Sequence, residues 1–344
     1  METPRRILLI RPSALGDVCR TVPVLASLRA RFRDAEISWL VQDSFAPAVE
    51  AHPGLTRIVP FPRRTVAISR LWRPSAGAVL LEFLHSLRDA GYDLVIDCQG
   101  LGRSGFFAFV TGAERRVGYA QAREFGWLGV NERVTVPVEL HAVDRMLALI
   151  EGCGVPAVRD MRLYTRAEDR EAAGASVGSE RFAVLAPTSR WAGKRWPIER
   201  FVELARALLD RSATERIAVV GGPGERDQCG PLLDLAARDR RVIDLVGKTS
   251  LGVLMAVIER ASLVVANDSA PVHMAVGFDR PLVAIFGPTR PELVGPYGRE
   301  RDVIHAAVST RNEHKNEGFG IAAMKAIPAS AVIDAALRRL ESWN

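Results

Sequence analysis

No stretch of this 344-residue chain reaches the roughly 18 uninterrupted apolar residues that a membrane-spanning helix requires. The short apolar run Ile7–Ile10, inside METPRRILLIRPSALGD, passes straight into polar residues. It lacks the long apolar region and small-residue cleavage site of a secretory signal, so a first β-strand and a cytoplasmic chain are expected. Cysteine is scarce. Cys19, Cys98, Cys153 and Cys229 lie far apart, and no pair has metal-ligand spacing. That argues against structural zinc and for buried thiols in a reducing compartment. Lysine is sparse beside arginine, yet the net charge is +6. A basic balance points to an anionic partner: nucleic acid, phosphates or an acidic membrane surface. A GC-rich genome that favours arginine explains the same excess with equal weight. No nucleic-acid-binding motif supports the first of those partners.

What is present is a globular composition, 48% hydrophobic and 25% charged, on a length that favours two domains. Short β-branched apolar runs alternate with longer amphipathic stretches. In the first half the strand-like runs are Ile7–Ile10, Ile37–Val41, Arg57–Phe61 and Leu94–Asp97. In the second half they are Ala183–Ala186, Ile217–Val220, Val242–Leu245, Leu263–Ala266 and Leu282–Phe286. Helical patterns intervene at Val18–Arg31, Ala142–Gly152, Ile198–Leu209 and Leu251–Arg260. This predicts an α/β protein with two doubly wound, Rossmann-like parallel sheets. The polar segment Thr165–Glu180 marks the boundary, giving domains 1–168 and 169–327 and a last helix within 328–344, after Pro328. Ligands are expected at the strand C-termini, in a cleft shared by the two sheets.

Four strand-to-helix loops carry the polar residues. Pro12–Asp17 follows the first strand; Gly16 allows a tight turn and Asp17 stands at a helix start, where it serves as a cap or as an acid–base group. It is neither GxGxxG nor a Walker A loop, so no nicotinamide or ATP site is signalled. Pro187–Pro197 sets Thr188, Ser189, Arg190, Lys194 and Arg195 beside a helix N-terminus, which suits a diphosphate; the plain alternative is a solvated basic loop. Trp191 and Trp196 in the same loop make an idle surface role less apt. In Gly221–Glu225 the carboxylate of Glu225 suits ribose hydroxyls, or simply favours a first helical turn. In Ala266–Ala275, Asn267, Asp268 and Ser269 are site residues or caps, and His273 taken alone is a packed histidine. Capping alone does not predict that Lys, Arg and Trp cluster at these loops too.

The series Ser13-Ala14-Leu15-Gly16-Asp17-Val18, Tyr92–Leu101, Ala122-Arg123-Glu124, His141–Arg145, Thr188–Pro197, Asn267–His273 and Phe286-Gly287-Pro288-Thr289 resembles glycosyltransferase family 9, the ADP-heptose:lipopolysaccharide heptosyltransferases, over most of the chain and is most similar to the heptosyltransferase I branch. The resemblance implies a GT-B fold whose C-terminal helix, here Ala329–Ser342, packs back on the N-terminal domain. It implies an inverting, metal-independent transferase with no cofactor beyond its ADP-sugar donor. Asp17 would then be the catalytic base and Lys194 the group that stabilises departing ADP. Thr188, Ser189, Lys194, Glu225, Asp268, Ser269, Ala270 and His273 would hold the donor. Ser13, Gly16, Gln99, Arg103 and Arg123 would hold the acceptor.

The implied acceptor is Kdo-lipid A, an anionic glycolipid at the inner membrane surface. Arg63, Arg64, Arg70, Arg73, Arg103 and Arg123 would then meet its carboxylates and phosphates, with peripheral membrane contact. The Arg-bearing stretch Val66–Leu84 reads as an ordinary helix pair that touches membrane at most. Unlike some relatives, Ser309–Gly320 carries no cysteine, and Arg311–Lys315 reads as a mobile loop. Another nucleotide-sugar transferase, a sugar-nucleotide epimerase of the same fold and a non-catalytic sugar-binding protein are the alternatives.

Overall fold

Ile7, Leu8, Leu9 and Ile10 are all fully buried, as are Val184, Leu185, Val264 and Val265. Strands without a polar face need cover on both sides, which parallel sheets between helices supply. The structure is a computed structural model that describes residues 3–66, 74–306 and 317–342. The chain divides into two units, Met1–Tyr164 and Thr165–Asn344.

The first unit contains β1 (Arg6–Ile10), β2 (Glu36–Gln42), β3 (Arg57–Phe61), β4 (Leu94–Asp97), β5 (Arg115–Tyr119) and β6 (Glu132–Val134). The second contains β7 (Phe182–Ala186), β8 (Arg216–Val219), β9 (Val242–Asp244), β10 (Leu263–Asn267), β11 (Leu282–Phe286) and β12 (Val303–His305). The sheet orders are β3-β2-β1-β4-β5-β6 and β12-β11-β10-β7-β8-β9. All pairings are parallel. Both are the same doubly wound order, and each reverses direction at one place: between β1 and β4, and between β7 and β10. A ligand crevice opens at that reversal, beyond the strand C-termini.

Several elements differ from expectation. Strands β5, β6 and β12 are additional. β5 is built from Arg-Arg-Val-Gly-Tyr, and β6 and β12 are three residues long, so none carries a long apolar run. The predicted helix Val18–Arg31 is two helices, Leu15–Arg20 and Val22–Arg31, joined at Thr21. Pro23 has no N–H to continue the first helix. Within the polar boundary segment Thr165–Glu180, Ala167–Val177 is helical and buries Ala173 and Val177 while packing on the helix Leu251–Arg260.

The helix Ala329–Ser342 belongs to the second unit. Its apolar stripe Val332, Ala336 and Leu340 is buried in the second core with Leu263, Val265, Val283 and Ile285. The end of the cysteine-free segment Ser309–Gly320 begins the helix Glu317–Ala326. Arg70, Arg73 and Arg311–Lys315 lie outside the described residues. Of the expected helix pair in Val66–Leu84, the described part is the helix Pro74–Asp89.

No single helix among the described residues is long and apolar enough to cross a membrane. The pair Glu317–Ala326 and Ala329–Ser342, bent by 63°, passes on length and composition together. Its apolar residues Ala323, Met324, Val332, Ala336 and Leu340 nonetheless fill the second core. Cys19, Cys98 and Cys229 are buried and Cys153 half-buried, all as free thiols. Burial pushes the Cys19 thiol up to about 12 and those of Cys153 and Cys229 to about 11.

Candidate functional site

In the first unit the reversal lies between Ile10 and Asp97, which are partners in register. The loop after β1, with a cis peptide between Ser13 and Ala14, crosses to the loop after β4. Ser13 N donates to Gln99 Oε1 at 3.4 Å. Arg11 Nη1 donates to the Cys98 carbonyl. Asp17 is the third residue of its helix, not the residue before it, and Gly16 lies inside that helix rather than in the turn. Asp17 Oδ2 accepts from Ala14 N at 3.3 Å, so the carboxylate does close the first turn. It also sits between two guanidiniums: Arg11 Nη2 is 3.1 Å from Oδ2, and Arg20 Nη2 contacts Oδ1. Burial by itself would raise the Asp17 pKa, but Arg11 and Arg20 together hold it well below the usual carboxylate range.

Asp97 is the opposite case and has no role in the sequence reading beyond ending a strand. It is buried at the end of β4. Its Oδ1 accepts from Gln99 N at 2.9 Å and Gly100 N at 3.1 Å, and Ser104 Oγ lies 2.8 Å from Oδ2. Gly100 has φ +66, with the Tyr119 ring 3.0 Å from where a Cβ would stand. Only glycine fits this turn, and the turn is what presents Gln99. Burial pushes the Asp97 carboxyl up to about 6, against the pull of its hydrogen bonds.

The sign for stability follows. A folded pKa above the ordinary carboxylate value means the folded chain holds the proton more tightly. The contribution is fully present below about pH 4 and is lost as pH rises through about 6. Asp97→Asn mimics the protonated form, since an amide can accept from Gln99 N and Gly100 N and donate to Ser104 Oγ. Melting temperatures measured from mildly acid to neutral pH are therefore expected to show the wild type losing stability relative to Asp97→Asn. A constant difference between the two proteins across that range counts against this account.

Arg123 N donates to the Gly100 carbonyl at 3.0 Å, which brings the loop after β5 beside the Gln99 turn; its side chain is exposed. Arg103 is exposed on the helix Gly102–Thr111, 5.2 Å over the Phe61 ring, and feels the charge of Arg63. Arg63 Nη1 donates to Gln42 Oε1 at 3.1 Å, and Arg64 is exposed.

In the second unit the reversal lies between Ala186 and Ala266, also partners in register. The loop after β7 is fastened to the end of β10 by the buried Asn267. Its Nδ2 donates to the Pro187 carbonyl at 2.6 Å, and its Oδ1 accepts from Trp196 N at 3.1 Å. Trp196 is a core residue, with Nε1 donating to the Ile327 carbonyl at 2.9 Å. Trp191 is exposed beneath Arg190. This frame delivers Lys194, whose Nζ donates to Asp268 Oδ2 at 2.6 Å; both side chains are largely buried.

Thr188 and Ser189 are buried, and Ser189 N donates to Gln228 Oε1 at 3.2 Å. Ser269 precedes the helix Ala270–Gly277, but its hydroxyl donates back to the Asn267 carbonyl at 3.1 Å and does not cap. The first amides of that helix thus have no side-chain cap and stand next to the Lys194–Asp268 pair. Amides and a lysine so arranged suit a diphosphate.

Glu225 Oε2 accepts from Gly222 N at 2.7 Å, closing its own loop just before the 3-10 turn Arg226–Gln228, and the next α-helix starts at Gly230. His273 is buried within its helix, and Ala270 opens it. Arg11, Arg20 and Gln228 hold site residues, and no motif marked them singly. Thr289, after β11, has a buried hydroxyl without a hydrogen-bond partner among the described residues and neighbours the β10 loop through the sheet order. Among the described residues, no three His, Cys, Asp or Glu side chains converge as metal ligands.

The sequence description of glycosyltransferase family 9 (heptosyltransferase) matches residues 80–319. Lipopolysaccharide heptosyltransferase 1 of Pseudomonas aeruginosa is 30% identical, the match covering 86% of this chain and 82% of that protein. Among solved structures, a family 9 glycosyltransferase from Veillonella parvula superimposes with a TM-score of 0.85 at 24% identity, over 99% of each chain. An Escherichia coli heptosyltransferase solved with ADP superimposes with a TM-score of 0.79 at 25% identity, over 97% of this chain and 99% of that one. Each half is thus a Rossmann-like domain of the two-domain GT-B fold. The chain belongs to glycosyltransferase family 9, the heptosyltransferases, and is a glycosyltransferase.

Proposed function

We propose that this chain transfers a heptose from ADP-heptose to a Kdo-lipid A type acceptor in lipopolysaccharide inner-core synthesis, with inversion and without a metal or other cofactor. It would work at the cytoplasmic face of the inner membrane. The observation that carries the proposal is the Lys194–Asp268 pair beside the uncapped helix at Ala270, at the reversal of the second sheet. Further support comes from the relatives: the Pseudomonas aeruginosa protein is named a lipopolysaccharide heptosyltransferase, and Escherichia coli heptosyltransferase has been solved with ADP and with ADP-2-deoxy-2-fluoro heptose.

In this reaction the Asp17 carboxylate accepts the proton of the acceptor hydroxyl as its oxygen bonds to the anomeric carbon. The bond from that carbon to the diphosphate oxygen breaks, and ADP leaves with the electron pair. One carboxylate suffices for direct inversion; no covalent sugar–enzyme intermediate is formed, in contrast to a retaining hydrolase. Lys194, Thr188, Ser189 and the amides at Ser269 and Ala270 stabilise the charge that develops on ADP. Asp268 orients Lys194 and takes heptose hydroxyls, Glu225 serves the ribose, and His273 backs the helix that carries the amides. Ser13, Gly16, Gln99, Arg103 and Arg123 hold the acceptor, with Arg63 and Arg64 reaching its anionic groups.

Purified protein mixed with ADP-heptose and Kdo-lipid A is expected to release ADP only when both are present. The rate should be unchanged by EDTA, and the product linkage should have the opposite anomeric configuration to the donor. ADP release that ignores the acceptor, or solvent deuterium entering the sugar without acceptor, would point to hydrolysis or epimerisation instead.

A further inference from the structure

The helix Gly102–Thr111 presents a solvent face whose aromatic side chains the transfer chemistry does not use. At 100° per residue, Arg103, Phe106 and Phe109 share that face, while Ser104, Phe107, Ala108 and Thr111 turn inward and are buried and the half-buried Val110 packs on the first core. Phe106 is 49% exposed and Phe109 60%. Alongside runs the turn 124–129, which adds Phe125 at 72% and Leu128 at 62%. Four large apolar side chains on two adjoining elements form a patch of the kind that marks an interaction surface.

The turn is held there at a cost. Glu124 and Phe125 both have left-handed backbone, φ 54 and 58, which bulky residues avoid unless the surroundings impose it. The imposition is visible. Gly102, Gly105, Gly126 and Gly129 let the helix and the turn touch backbone to backbone, and a Cβ at Gly105 or Gly126 would strike the Gly126 or Leu101 carbonyl. The backbone is thus strained and close-packed in a way that leaves Phe125 and Leu128 pointing outward.

Charge surrounds this patch with one dominant sign. Arg103 lies one turn before Phe106 and near Arg63. Arg123 begins the turn, and Arg133 stacks 4.7 Å from the Trp127 ring. Glu124 is the acidic neighbour of Arg103, while the nearby Glu132 is neutralised by Arg115 at 2.6 Å. Aromatic and aliphatic side chains ringed by arginine match the boundary of an anionic bilayer, where rings enter the headgroup layer and guanidiniums meet phosphates.

We infer that the outer face of the helix Gly102–Thr111 and the turn 124–129 docks the protein on an anionic phospholipid surface. This deepens the transferase proposal, whose acceptor is a glycolipid, and rests on it for that acceptor; its test needs no turnover.

The full chain is mixed with vesicles of equimolar phosphatidylethanolamine and phosphatidylglycerol and sedimented, without donor or acceptor. Wild type is expected to pellet with these vesicles, less so in high salt, and little with phosphatidylcholine alone. The triple variant Phe106→Ser, Phe109→Ser, Leu128→Ser should lose roughly tenfold or more in partitioning. Its ADP affinity and melting temperature should match wild type, because all three side chains already face solvent. Should the triple variant not fold, the single variants Phe109→Ser and Leu128→Ser are each expected to weaken pelleting. The inference is overturned if wild type stays in solution, if the variants pellet as wild type does, or if the patch instead supports a dimer that the variant dissolves. Acceptor-dependent ADP release is measured separately, so failure of docking and failure of transfer are told apart.

Discussion

Asp17→Asn is expected to lower turnover by roughly 10²–10⁴-fold, the range of a lost general base, while ADP affinity stays at its wild-type value. The split has a physical reason. Asp17 belongs to the loop after β1 in the first unit, whereas the groups suited to a diphosphate belong to loops of the second. Asparagine keeps the shape and one oxygen for Ala14 N but sets an amide against Arg11 or Arg20. A stability loss of about 1–3 kcal/mol should accompany the substitution. Steady-state rates, ADP calorimetry and thermal melts on the same preparation separate the two effects. Turnover near wild type would remove Asp17 from the base role.

The two arginines make the pH dependence of this step diagnostic. A carboxylate held far below its ordinary range is a weak base, so proton transfer must come late, when bonding to the anomeric carbon has already made the acceptor hydroxyl acidic. Asp17 has to be ionised to accept that proton. Its lowered pKa therefore puts the acid limb of kcat/KM below the ordinary carboxylate range, and activity should persist into mildly acid solution. Arg11→Met removes one guanidinium and leaves burial less opposed. The acid limb is then expected to move up by roughly one pH unit or more. A limb that stays in place would mean that Arg11 does not set the charge state of Asp17.

Much of this arrangement was legible in the sequence. Apolar runs such as Leu282–Phe286 and Leu94–Asp97 are strands with the predicted limits, because continuous burial leaves little choice of structure. The loops at both sheet reversals were legible too, since polar residues after a buried strand have few places to go. What escaped depends on contacts distant in sequence. Arg11 and Arg20 look like ordinary basic residues until the fold closes them on Asp17. Asp97 reads as a strand end, and only its burial and its three partners show an organiser of the Gln99 turn. Trp196 read as part of a binding loop, but its indole N–H reaches Ile327, far along the chain, and fixes it in the core. The destination of the last helix was equally hidden. Its stripe of Val332, Ala336 and Leu340 states that it is buried, not against which sheet.

Lys194→Met should reduce transfer by roughly 10²–10³-fold, as loss of a preorganised charge at a leaving group does. Unlike Asp17→Asn, it is expected to weaken ADP binding as well, by roughly 10- to 100-fold, the worth of a charge-assisted hydrogen bond. A competing account is that Lys194 merely neutralises Asp268, 2.6 Å away and largely buried. Methionine would then strand a carboxylate, and the harm would be indirect; a fully buried pair broken in this way costs about 3–5 kcal/mol, and this partly exposed one less. The double variant Lys194→Met, Asp268→Asn discriminates. Removing the stranded charge should restore the melting temperature on either account. ADP has no heptose, so any contact of Asp268 with the sugar does not enter its affinity. If Lys194 touches the diphosphate, the double variant binds ADP as weakly as Lys194→Met. Recovery of ADP affinity along with stability would instead make Lys194 a structural counter-ion, leaving the helix amides at Ala270 to carry the leaving-group charge.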